Sequence, residues 1–140
     1  MSRIQLKKMV FLLVIMALVI NIDSDDKKAL NGDWGIKLAP KPNNTLEHTD
    51  KPFDDTLTFK DGKVNSKVCK GYEFETASYA KKVANGKTEY IATMKSSKHG
   101  SAIWRFTVEA KKIEGTFHWD NEGKSASFTF AGELKTEDSK

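Results

Sequence analysis

A chain of 140 residues has room for one domain of ordinary size and not for two. Its 23 basic and 19 acidic residues give a formal net charge of +4, yet Arg3, Lys7 and Lys8 fall in the first 22 residues, which hold no acid, so the remainder carries 20 basic against 19 acidic residues. That near balance, with lysines scattered singly among acids, excludes the clustered basic patch of a nucleic-acid-binding surface, and the lone cysteine, Cys69, excludes an intramolecular disulfide.

Residues 9–22, MVFLLVIMALVINI, are apolar apart from Asn21 and follow Arg3, Lys7 and Lys8, the order of a charged n-region and an apolar h-region. In a helix this run rises about 21 Å, short of the roughly 30 Å hydrocarbon core, which favours export over a permanent span. No A-x-A sequence follows, and Ser24 is the best-placed small residue, so an uncleaved anchor stays open. Residues 1–24 are read as a signal peptide or N-terminal membrane anchor helix, and residues 25–140 as one exported domain, periplasmic or extracellular. Contact with a membrane is expected only through that first segment.

Residues 23–29, DSDDKKA, read as a flexible lead. In the next stretch Trp34, Ile36 and Leu38 alternate with Asp33, Gly35 and Lys37, the period of a strand with one buried face. Residues 39–54 hold all three prolines and read as a loop, and loops of that length in compact domains are functional or disordered. Within it Asn43-Asn44-Thr45 matches the N-glycosylation pattern, which matters only in a host that glycosylates.

From there the chain reads as strands joined by tight turns. Leu57 and Phe59 precede the Asp61-Gly62 turn, Val64 and Val68 follow on the returning strand, and residues 72–80 form the next strand with Tyr72 and Phe74 inward. Asn85-Gly86 leads to Tyr90, Ala92 and Met94. Trp104, Phe106 and Val108 then alternate with Arg105, Thr107 and Glu109, and Ile113, Gly115, Phe117 and Trp119 with Glu114, Thr116 and His118. After a turn over 120–123, Phe128, Phe130 and Leu134 alternate with Ser127, Thr129 and Glu133. About eight strands at near-regular spacing predict an all-β, antiparallel up-and-down barrel, with an open sandwich as the alternative. Closure is favoured because it removes exposed sheet edges.

An eight-stranded barrel is just wide enough to be filled by its side chains or to hold one small ligand. The candidate lining for a small hydrophobic ligand is Trp34, Tyr72, Tyr90, Trp104, Phe117 and Trp119, with Ser66, Thr76 and Ser78 as polar groups among them. The alternative is a packed core and a structural or interaction role at the cell envelope, through residues 39–54 or the outward strand faces. His48, His99 and His118 lack metal-ligand spacing, and Asp54, Asp55, Glu73 and Glu75 read as strand-end or outward carboxylates. No catalytic residue, metal or cofactor is expected, Cys69 is expected to be at least partly buried, and the protein is not read as an enzyme. Oligomeric state is not legible.

The segment Leu30-Asn31-Gly32-Asp33-Trp34 resembles the opening strand of lipocalin-like domains, whose G-x-W element places a tryptophan at the closed end of the barrel. The stretches DTLTFKDGKVNSKVCKGYEF, SSKHGSAIWRFTV and KIEGTFHW are similar to those of small exported bacterial lipocalin-like proteins, so the resemblance spans roughly residues 30–134. It implies a calycin-type barrel and, by analogy, ligand binding. One feature departs from the pattern: residues 126–134, ASFTFAGEL, lack the arginine that packs over the first-strand tryptophan in lipocalins.

Overall fold

A computed structural model describes residues 29–136 of the chain. In β1 (Gly32–Pro40) Trp34, Ile36 and Leu38 are buried while Asp33 and Lys37 face solvent, so the sequence period becomes an inner and an outer face. β2 (Phe53–Lys60), β3 (Lys63–Ser66), β4 (Ala77–Ala84), β5 (Lys87–Ser96), β6 (Gly100–Glu109), β7 (Lys112–Asn121) and β8 (Lys124–Leu134) follow, each antiparallel to the one before. β8 returns to β1, with Leu134 opposite Trp34 and Phe130 opposite Leu38, which closes the barrel and rules out the open sandwich.

Turn chemistry sets the register. In Asp61-Gly62, Asn85-Gly86 and Glu122-Gly123 both residues have positive φ, the conformation whose twist matches a right-handed hairpin. At the closing seam a side chain on Gly132 would collide with the Gly35 carbonyl and stand 2.7 Å from the Ile36 Cα, so the two strands approach as closely as they do only because that position has no Cβ.

The short turns at 61–62, 85–86 and 110–111 gather at one end of the barrel, together with the chain entry at Leu30. Loop 41–52, the turn at 97–99 and the turn at 122–123 gather at the other. Leu30 is buried and its carbonyl accepts the Trp34 indole N–H at 3.0 Å. Above it Phe59 meets Trp34, Tyr79 and Phe106 edge-on at 5.4–6.2 Å, and Tyr90 stacks on Phe106 at 5.4 Å. Aromatic rings fill this end of the barrel.

Residues 67–76 depart from the predicted strands. Val68 lies in a short helix, α1 (Lys67–Gly71), and β4 begins only at Ala77. Ala77 and Tyr79 are buried, so Thr76 and Ser78 face solvent rather than the interior, and Tyr72 is 41 % exposed rather than inward. The proposed signal or anchor segment, residues 1–24, lies outside the described residues. Among the described residues no helix is long and apolar enough to cross a membrane.

Candidate functional site

The helix that interrupts the β pattern exists because a residue from the preceding hairpin caps it. Ser66, the last residue of β3, has an extended backbone and accepts the Cys69 N–H on its hydroxyl oxygen at 3.0 Å, an N-cap in the usual geometry. The Ser66 hydroxyl in turn donates to the Asp55 carboxylate, which also accepts the backbone N–H groups of Val68 at 3.0 Å and Thr56 at 2.7 Å. Asp55, near the start of β2, shares a face with Leu57 and Phe59 and is buried, so of the strand-end and outward readings only the first holds for it. Burial pushes its carboxyl above the ordinary aspartate value, against the opposing effect of its hydrogen bonds.

α1 and the residues after it form one wall over the mouth of the barrel. Tyr72 N–H bonds to the Cys69 carbonyl, Glu75 N–H bonds to the Lys95 carbonyl, and the Lys98 ammonium pairs with Glu73 at 3.3 Å, fastening the segment to the neighbouring turn. Loop 41–52 forms the opposite wall. Asn44 donates to the Thr49 and Ser127 carbonyls and accepts the Ser127 N–H at 2.8 Å, while Thr45 N–H bonds to the Ser125 carbonyl, so the loop is laid along β8.

Between these walls lies a cavity of about 330 Å³ that opens at the loop end and runs down into the barrel. Its sides are aromatic: Phe53, Phe74, Trp104, Phe117, Trp119 and Phe128 all line it. Their rings pack in two groups: Trp104 and Phe117 are 4.3 Å apart, Phe117 and Phe128 6.0 Å and Phe128 and Phe53 5.2 Å, while at the rim Trp119 lies 5.3 Å from Tyr72 and 6.1 Å from Phe74. The Trp119 indole donates to the His99 carbonyl at 2.6 Å. Trp104 is only 1 % exposed, and the group its indole nitrogen bears on is the Cys69 thiol, too weak or too distant an acceptor to complete a regular hydrogen bond. Cys69 lines the cavity beside it. Burial, together with the Asp55 charge, raises the Cys69 thiol to about 12 despite favourable contacts from Ser66 and the Trp104 indole.

The six aromatic candidates therefore fall into two groups. Tyr72, Trp104, Phe117 and Trp119 line the mouth cavity. Trp34 and Tyr90 belong to the filled end, where they pack on Phe59, Tyr79 and Phe106. Of the three polar candidates, Ser66 is buried beneath α1 and holds its cap, whereas Thr76 and Ser78 are on the outside.

No family model, curated protein or solved structure matches the chain.

Away from the cavity, His118 joins Ser127 at 2.7 Å and Asp120 at 3.0 Å in a line of hydrogen bonds on the outer face of β7 and β8. The His118 side chain is 42 % exposed and Asp120 58 %, so this chain stands in water on an open strand face. Among the described residues no group of three His, Cys, Asp or Glu side chains is placed to hold a metal ion. Sequence reasoning missed Asp55 and the cap it supports. The signal was present in its parity with Leu57 and Phe59, while the partnership with Ser66 spans a hairpin and is not local.

Proposed function

We propose that this protein binds a small, largely apolar molecule in the mouth of its barrel. The cavity carries the reading: about 330 Å³ lies within the range of small-molecule sites, and an aromatic wall with a few polar groups is how such sites are generally built. The filled end supplies a rigid base, and α1 with loop 41–52 supplies the walls that shape the opening.

The reading extends to a lipocalin-like protein working outside the cytoplasm. Three features support it: eight strands in up-and-down order, a G-x-W element whose Trp34 is buried at the filled end, and the charged and apolar N-terminal sequence at residues 1–22.

Titration of the protein with N-phenyl-1-naphthylamine, an uncharged dye that brightens in apolar surroundings, tests the central part. Saturable binding at one site, weakened by Trp119→Ala and unaffected by the surface change Ser78→Ala, is the expected result. A linear, unsaturable signal would overturn the reading and leave a surface-mediated role at the envelope in its place.

A further inference from the structure

The polar groups around the mouth narrow the class of ligand, a step that rests on the reading that the cavity takes a ligand at all. Polar side chains set into the wall are engaged with other protein groups. The Asp55 carboxylate accepts from Ser66, Thr56 and Val68, the Thr49 hydroxyl donates to the Leu46 carbonyl at 2.6 Å, and the Trp119 indole donates to the His99 carbonyl. The Trp104 indole is turned to the Cys69 thiol. A ligand group that depends on directed hydrogen bonds gives up its bonds to water on entering and gains little in return.

The rim has a different character. Tyr72, 41 % exposed, is the one large hydrophobic side chain standing in solvent among the described residues. Its ring lies 5.3 Å from that of Trp119 at 59°, and Phe74 lies 6.1 Å from Trp119 at 81°. Planes so steeply inclined bound a corner rather than a stack. Glu47 and Asp54 stand exposed on the same rim with Lys51 and His48, an excess of carboxylate over ammonium. An anion there meets like charge and the negative faces of the rings. A cation meets opposite charge and those same faces, and its attraction to an aromatic face strengthens as it sheds water.

We infer that the ligand is a quaternary ammonium carried on an apolar body, with the body between Trp104, Phe117 and Phe128 and the head in the corner of Tyr72, Phe74 and Trp119. Such a head has no N–H to satisfy, so a wall without free acceptors suits it, and its charge is spread over alkyl groups that pack on aromatic rings.

Calorimetric titration of the full chain with (2-naphthylmethyl)trimethylammonium, 2-acetonaphthone and 2-naphthoate separates the cases, since the three share a naphthalene body and differ in the charge they carry. The cation is expected to bind about tenfold more tightly than the ketone, the gain of a partly desolvated cation on aromatic faces, and the naphthoate least tightly. Tyr72→Leu removes a ring from the corner, and the double change Glu47→Gln, Asp54→Asn removes the two charges. All three positions are exposed, so these variants leave the core intact. Each is expected to cut the cation-to-ketone ratio about twofold or more while the ketone still binds. A ratio near one for the unaltered protein, tighter binding of naphthoate than of the ketone, or a ratio that either variant leaves unchanged overturns this inference and leaves the cavity reading standing. Absence of binding by all three overturns both.

Discussion

The Ser66 hydroxyl donates to the Asp55 carboxylate while accepting the Cys69 N–H, so two side chains eleven positions apart jointly start the helix that walls the mouth of the barrel. Asp55→Ala would leave the Val68 and Thr56 N–H groups and the Ser66 hydroxyl without their acceptor. The expected loss is about 1–3 kcal/mol of unfolding free energy, measured by urea denaturation. Ser66→Ala should cost about 0.5–2 kcal/mol, the range for a lost N-cap. Loss of less than a few tenths in both would show that the helix does not depend on this cap.

Asp55 also gives stability a definite pH dependence. Because burial raises its carboxyl above 3.8, the folded protein keeps a proton that the unfolded chain has released in the window between 3.8 and the higher folded value. Its contribution is therefore full below pH 3.8 and is lost as pH rises through the folded value. Asp55→Asn keeps the shape and removes the titration. The unfolding free energy of the wild type minus that of the variant should fall as pH rises above 3.8 and then level. A difference that rises across the same window contradicts the assignment.

Cys69 is the buried residue of α1, with its thiol raised to about 12 from an ordinary value of 9.0. At pH 8 the native protein should react with a disulfide reagent such as dithionitrobenzoate far more slowly than the urea-unfolded chain, since only the thiolate attacks. Equal rates would mean that the mouth opens freely.

The barrel closes where Gly132 passes the Gly35 carbonyl without a side chain between them. Gly132→Ala must push β8 from β1, breaking ladder hydrogen bonds at the seam. We expect a loss of at least about 1–3 kcal/mol, the usual cost of overpacking, with faster amide exchange in β1 and β8 than in β5 and β6. At the exposed tip Gly86, where nothing crowds a Cβ, Ala should cost only what its positive φ of 75° demands.

Much of this architecture was legible because strand periodicity and turn residues are local signals. Trp34 to Leu38, Trp104 to Val108 and Phe128 to Phe130 alternate cleanly, and Asp61-Gly62 and Asn85-Gly86 fall where the hairpins turn. Residues 67–76 misled for the same reason. The spacing of Val68, Tyr72 and Phe74 is compatible with an inward strand face, and only the cap formed with Asp55, on another strand, converts the stretch to a helix and a covering segment. The division of the aromatics between a filled end and a lined cavity was equally out of reach, because inward phase says nothing about depth along the barrel axis. Trp34 and Trp104 have the same pattern in sequence and opposite surroundings in the fold.

The three tryptophans permit the most direct test of ligand binding at the mouth, because their indole N–H groups give separate signals in a nitrogen-15 correlation spectrum. Trp34 sits at the filled end bonded to Leu30, Trp119 at the rim bonded to His99, and Trp104 in the cavity wall beside the Cys69 thiol. On titration with 2-acetonaphthone the Trp104 and Trp119 signals should move saturably together while that of Trp34 stays in place. Three unmoved signals, or a shift at Trp34 as large as that at Trp104, would contradict the assignment of the mouth cavity as the binding site.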